Sequence, residues 1–122
     1  MKKILIVEDD RDIATLLETI LQDAGYKVSV VHNGADALGF LKDNTDFDLI
    51  ITDIIMPGTD GYDLIHFVKS QLDIKIIAMS GGGVLVSSKN AIQTIEGQVD
   101  ACIEKPVQVG TLLKHIERVL NS

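Results

Sequence analysis

Cysteine, tryptophan and long apolar runs are scarce or missing in this chain of 122 residues. Cys102 is the only cysteine, so no disulfide can form within the chain, and a reducing compartment is indicated. The start, MKKILIVEDD, is basic, but its apolar run is too short for an export signal and ends in acidic residues. No stretch approaches the length of a membrane span. We therefore expect a cytoplasmic protein.

Basic residues are also in the minority, with 11 Lys and Arg against 18 Asp and Glu and a net charge of -7. A nucleic-acid binder needs a basic face to neutralise phosphates, so this balance argues against direct nucleic-acid binding. The chain has 46% hydrophobic and 24% charged residues, which is typical of a globular protein. Its length suits one domain spanning residues 1–122, and we expect no output domain within it. The terminal residues fit a complete small protein, and a domain excised from a longer protein is the alternative.

Short apolar runs alternate with amphipathic segments along the whole chain. The runs are too continuously apolar for half-exposed strands, which indicates parallel strands covered on both faces. The predicted strands are 4–7, 27–31, 48–52, 75–79 and 100–103, and the predicted helices are 12–24, 35–42, 62–71, 84–97 and 109–121. This alternation predicts an α/β fold, a doubly wound five-stranded parallel sheet flanked by five helices.

The first predicted helix has the clearest pattern. We expect Asp12 to be its N-cap and Gly25 to stop it. Its shared apolar face consists of Ile13, Leu16, Leu17, Ile20 and Leu21.

Polar residues of chemical interest follow the first, third, fourth and fifth predicted strands. In open parallel sheets, ligands bind beyond the carboxyl ends of the strands, so these residues should converge on one site. They are Glu8-Asp9-Asp10, Asp53, Ser80-Gly81-Gly82-Gly83 and Glu104-Lys105-Pro106.

Each residue type in this group has a chemical use. Clustered carboxylates repel one another unless a cation lies among them, and oxygen-only ligands favour Mg²⁺. Lys105 could neutralise charge or bind an anion, and Ser80 could donate a hydrogen bond to it. Asp53 beside Mg²⁺ and Lys105 is a plausible nucleophile toward phosphorus.

In these residues the chain resembles the receiver domain of two-component response regulators, in a stand-alone form like the chemotaxis regulators. The matching segments are VEDD at 7–10, DLIITDIIMPGTDG at 48–61, Ser80-Gly81, and EKPV at 104–107. The resemblance itself covers essentially the whole chain. The resemblance implies the flavodoxin-like strand order 2-1-3-4-5.

The resemblance also implies a role for each site residue. Asp53 would be the phosphoacceptor and a metal ligand, with Glu8 and Asp9 as the acidic pair and Asp9 the more direct Mg²⁺ ligand. The backbone carbonyl of Ile55 would be a further ligand. Ser80 and Lys105 would contact the phosphoryl group, and the Lys105–Pro106 bond would be cis.

The function implied is a switch. A sensor histidine kinase or a histidine phosphotransfer protein would phosphorylate Asp53, and the output would pass to a downstream protein. Three positions depart from the family pattern. Cys102 replaces the aromatic residue that often turns inward on phosphorylation, so a rotating ring cannot be the readout. Ile55 and Gly82 replace polar residues that orient water, which predicts slow dephosphorylation.

Other functions remain open at this level. A receiver-like module that binds partners without phosphorylation is one alternative. An aspartyl-nucleophile phosphatase is less favoured, because Ile55 stands where such enzymes carry an acid/base Asp. An FMN carrier would need a phosphate loop where this chain has acidic residues. We expect His32, His66 and His115 to be structural and Cys102 to be a small buried hydrophobe.

Overall fold

Five parallel strands form one sheet in the order β2-β1-β3-β4-β5, with helices on both faces. The computed structural model describes residues 1–54, 61–81, 99–105 and 107–121. The elements in chain order are β1 (Lys3–Val7), α1 (Arg11–Asp23), β2 (Lys27–Val31), α2 (Gly34–Asp43), β3 (Leu49–Asp53), α3 (Gly61–Gln71), β4 (Lys75–Gly81), β5 (Ala101–Lys105) and α4 (Val109–Leu120).

The predicted fold class and strand order are confirmed, because every neighbouring pair in the sheet is parallel. Four helices lie in the described part of the chain, and the predicted helix over 84–97 falls outside it. The strand boundaries differ at the carboxyl ends. Asp53 and Lys105 are the last residues of β3 and β5, so they belong to the strands that were expected to end before them.

Two aspartates mark where strands begin. Asp48 and Asp100 were predicted as first strand residues, but each lies one position before its strand. The carboxylate of Asp48 accepts a hydrogen bond of 2.8 Å from the N–H of Lys3, and that of Asp100 accepts one of 2.8 Å from the N–H of Ile76. Each aspartate N–H donates back to the same neighbour's carbonyl, also at 2.8 Å. These exchanges pair the first residue of β1 and the second residue of β4 with the chain entering the sheet.

Alternate strand residues point to opposite faces and build two apolar layers. Leu5, Val7 and Ile50 pack with residues of α2 and α3 on one face. Ile4 and Ile51 pack with residues of α1 and α4 on the other. Because the central strands are covered on both faces, their side chains are almost fully buried, which accounts for the continuous apolar runs in the sequence.

Both ends of α1 are fixed by local hydrogen bonds. Asp10, and not Asp12, is the N-cap, so that prediction was wrong: Oδ1 of Asp10 accepts from the N–H groups of Asp12 and Ile13 at 2.9 and 3.1 Å. Gly25 ends the helix as expected and adopts a φ of 97°, a conformation that glycine adopts without strain. None of the described helices is long and apolar enough to cross a membrane.

Candidate functional site

One face of the sheet places three charged residues together at its carboxyl edge. In β1 the side chains of Ile4 and Ile6 are buried on this face, and Glu8, two residues further on, is the next residue of the same alternation. By the same alternation, β3 ends in Asp53 and β5 ends in Lys105. On the face covered by α1 and α4, the row of apolar side chains from each of these three strands therefore ends in a charged residue.

The charges contact one another directly. The ammonium Nζ of Lys105 lies 2.6 Å from Oδ1 of Asp53 and 2.8 Å from Oε1 of Glu8. Glu8 is 0% exposed and Asp53 is 3% exposed, so Lys105 forms ion pairs with two carboxylates that are almost completely shielded from water. The backbone after Asp53 is held as well, because the N–H of Ile54 donates to the carbonyl of Met79 at 2.9 Å.

Each buried carboxylate has a second oxygen that the Lys105 ammonium does not serve. Oε2 of Glu8 and Oδ2 of Asp53 have no hydrogen-bond partner among the described residues. Burial raises the pKa of Asp53, because it removes the carboxylate from water, and the hydrogen bond and charge of Lys105 offset part of this effect. The site therefore has a shortage of positive charge.

These free oxygens fit a metal ion. Glu8, Asp9 and Asp53 each offer a carboxylate oxygen, and the three oxygens lie within 4.8 Å of one another. Asp9 is exposed and the other two are buried, so the group is open to solvent on one side. An oxygen-only donor set with two unpartnered buried oxygens is suited to a hard divalent cation such as Mg²⁺.

Several predicted site residues cannot be placed fully. Ser80 stands opposite Glu104 in the β4–β5 register, and its side chain lies outside the described part. The predicted carbonyl ligand Ile55 lies outside it too, as do Pro106 with the predicted cis bond and Gly82. Cys102 is half-buried rather than buried and packs against the apolar layer facing α2 and α3.

One contact at this site was not expected from the sequence. His32 follows β2, and its Nδ1 lies 3.1 Å from the backbone carbonyl of Glu8. The other two histidines lie on helices, His66 on α3 and His115 on α4. The only available signal was position: β2 pairs with β1, so the residue after β2 must lie near the residue after β1.

An apolar cleft lies beside the acidic site, between α1 and α4. Lys105 forms part of its lining, so the cleft and the acidic site are continuous. Leu16, predicted on the packed face of α1, is 59% exposed here, and Val109 is 46% exposed. The apolar lining residues are Ile13, Leu16, Leu17, Ile20, Val107, Val109 and Leu112.

The fold and this acidic edge define a class of signalling domain. The chain belongs to the response regulator receiver domain family, which matches residues 4–117. The resemblance inferred from the sequence motifs is thereby confirmed. Domains of this family act in two-component signalling and are not classical enzymes.

Particular relatives are similar over nearly the whole chain. The receiver protein CpdR of Brucella abortus is 33% identical over 121 residues, which cover 98% of both chains. The regulatory protein VanRB of Enterococcus faecalis is 32% identical over 118 residues, covering 97% of this chain and 52% of VanRB. The chain spans half or less of several other transcriptional regulators it matches.

Solved structures agree in fold. The response regulator TrrA of Thermotoga maritima, determined in complex with Mg²⁺-BeF, superposes with a TM-score of 0.80 at 30% identity. The match covers 98% of this chain and 99% of TrrA.

Proposed function

We propose that this protein is a phosphorylation-dependent switch in which Asp53 accepts a phosphoryl group with the help of Mg²⁺. The observation that carries the proposal is the buried Asp53 carboxylate, held by Lys105 at 2.6 Å beside the carboxylates of Glu8 and Asp9. The donor is the phosphohistidine of a sensor histidine kinase or a histidine phosphotransfer protein. The match to TrrA, solved with Mg²⁺-BeF, supports the metal requirement.

The transfer step follows from the residues present. A carboxylate oxygen of Asp53 attacks phosphorus, and the P–N bond to the donor imidazole breaks. The imidazole nitrogen keeps the electron pair and takes a proton from solvent. Lys105 keeps Asp53 oriented before transfer and contacts the added phosphoryl oxygens after it.

Glu8 and Asp9 would hold the metal with Asp53 and the Ile55 carbonyl. When bound, Mg²⁺ neutralises the charge of the phosphoryl oxygens. Ser80 is proposed to donate a hydrogen bond to the phosphoryl group.

The donor protein must cover the carboxyl edge of the sheet to reach Asp53. The cleft between α1 and α4 adjoins that edge through Lys105 and presents Leu16 and Val109 to solvent. We assign this cleft to the donor, because exposed Leu and Val beside a charged pocket give a protein partner apolar area to bury. A small phosphodonor would not need it.

The output is proposed to pass from this cytoplasmic domain to a downstream protein by protein–protein contact. The match to CpdR, which is named as a response regulator receiver protein and is covered over 98% of its length, supports a signalling role. Phosphorylation adds charge at the strand ends, which biases the segment after β4 and the face formed by β5 and α4. Cys102 excludes a rotating ring as the readout.

The decisive experiment is incubation with acetyl phosphate, with and without Mg²⁺, followed by intact mass measurement. We expect one Mg²⁺-dependent phosphoryl adduct, absent in Asp53→Asn and retained in Asp23→Asn, which changes an exposed aspartate at the end of α1. Folded, metal-bound protein without an adduct would favour the phosphorylation-independent binding module. Continuous release of phosphate from organic phosphate esters would favour the phosphatase.

A further inference from the structure

The end of β2 holds both backbone polar groups of Glu8. The last Cα pair of the β1–β2 ladder is Val7 with Val31, and the N–H of Glu8 donates to the carbonyl of Val31 at 3.1 Å. The carbonyl of Glu8 lies 3.1 Å from Nδ1 of His32. The His32 side chain thus adds one more contact between β1 and β2, just beyond the last backbone hydrogen bond that joins them.

We propose that His32 is a positioning residue for the metal site, acting through the Glu8–Asp9 peptide. This proposal rests on the Mg²⁺ site of the proposed function. The carbonyl that His32 contacts belongs to the peptide plane joining Glu8 to Asp9, because a peptide unit is planar. Fixing its oxygen fixes the orientation of the plane, and with it the direction in which the chain enters Asp9.

Asp9 is the residue that needs such support. It is exposed, whereas Glu8 and Asp53 are buried and held by Lys105. On its far side Asp10 is anchored as the N-cap of α1, with Oδ1 bonded to two backbone N–H groups. The contact of His32 with the Glu8 carbonyl fixes the backbone on the other side of Asp9. The Asp9 backbone is therefore held on both sides. Its carboxylate lies near those of Glu8 and Asp53 although the Asp9 side chain is not buried.

The contact has a strict chemical requirement. A carbonyl oxygen only accepts, so Nδ1 of His32 must carry the proton. An asparagine at this position offers an amide N–H at a similar distance from the backbone, whereas a leucine fills similar space and donates nothing. The pair His32→Asn and His32→Leu therefore separates hydrogen bonding from packing.

The test is the affinity for Mn²⁺ as a spectroscopic substitute for Mg²⁺, read from the electron paramagnetic resonance signal of free Mn²⁺. Loss of a group that orients a metal ligand commonly costs 10–100-fold in affinity, and we expect about tenfold weaker binding in His32→Leu. His32→Asn should recover most of that loss. His66→Leu, which changes an exposed histidine of α3, should bind like the natural chain.

Unchanged affinity in His32→Leu would overturn the proposal, and so would equal losses in the Leu and Asn variants. If His32→Leu does not fold, the natural chain still decides. A long-range ¹H–¹⁵N spectrum of its neutral imidazole rings should show His32 protonated on Nδ1, and protonation on Nε2 would refute the contact. Because no readout involves phosphorylation, failure of this proposal is distinguishable from failure of Asp53 to accept a phosphoryl group.

Discussion

The ammonium of Lys105 lies 2.6 Å from Oδ1 of Asp53, although the two residues end strands that are not neighbours in the sheet. β4 lies between β3 and β5, and adjacent strands are about 4.8 Å apart. The lysine side chain is long enough to pass the intervening strand, which has Gly81 opposite Lys105 in the β4–β5 register. A shorter cation at this position would not reach both Asp53 and Glu8.

Lys105→Met is expected to destabilise the metal-free protein at neutral pH. Methionine keeps the apolar stem but leaves Glu8 and Asp53 without their shared cation. Removing one partner of a buried ion pair costs about 3–5 kcal/mol, and since the Lys105 side chain is 22% exposed we expect a smaller loss of about 2 kcal/mol in the free energy of unfolding. Urea denaturation measures it. Lys114→Met, on the exposed side of α4, is the control, and an equal effect there would contradict the prediction.

Asp53→Asn is expected to stabilise the metal-free protein at neutral pH. Burial raises the pKa of Asp53, so the folded carboxyl binds its proton more tightly than the unfolded one. The free energy of unfolding of the natural protein therefore falls as the pH rises from the pKa of Asp53 in the unfolded chain to its pKa in the folded protein. The asparagine variant has no such titration and does not lose this stability. We expect a gain of about 1 kcal/mol at neutral pH, within the cost of an unsatisfied buried acceptor.

The pH dependence distinguishes this effect from a change in packing. The stability advantage of Asp53→Asn should shrink as the pH falls below the pKa that Asp53 has in the unfolded chain. There the carboxyl of the natural protein is protonated in both the folded and the unfolded state. Denaturant unfolding over a series of acidic to neutral pH values gives the comparison, with Asp23→Asn as an exposed control. A difference that stays constant with pH would show that the buried charge is not its cause.

The strands and most of the acidic edge were predictable because burial and alternation leave direct traces in the sequence. A strand covered on both faces appears as an apolar run, as ILIV at 4–7 does, and all four of those residues are buried. A charge that directly follows such a run must lie at a strand end. Parallel strands bring those ends together, and the structure places Glu8, Asp53 and Lys105 in contact.

Contacts that depend on exact register were not predictable. Asp48 and Asp100 read as strand residues, and only the pairing with β1 and β4 shows that their carboxylates accept from neighbouring backbone. The bond from His32 to Glu8 joins residues 24 positions apart and depends on where the β1–β2 ladder ends. Helical periodicity placed Leu16 on the apolar face of α1, but Leu16 is 59% exposed. The apolar face of α1 is therefore wider than the part of it that is buried.

Leu16→Asp should separate the two kinds of phosphodonor. Leu16 lines the cleft between α1 and α4, whose lining includes none of Glu8, Asp9 and Asp53, so the rate of phosphorylation by acetyl phosphate should not change. Transfer from a phosphohistidine protein should slow by about tenfold or more, because a charge replaces apolar area that the donor buries. Stopped reactions read by intact mass give both rates, and Leu16→Met is the apolar control. Equal slowing with both donors would refute a docking role for the cleft.

Asp48→Ala and Asp100→Ala should each lower the free energy of unfolding by about 1–2 kcal/mol, because each leaves a partly buried backbone N–H without its acceptor. Asp48→Asn and Asp100→Asn keep a side-chain carbonyl in place and should recover most of that loss. Urea denaturation gives the energies, and amide hydrogen exchange at Lys3 and Ile76 should accelerate in the alanine variants alone. If asparagine and alanine were equally destabilising, the carboxylate charge and not the hydrogen bond would be what secures these strand starts.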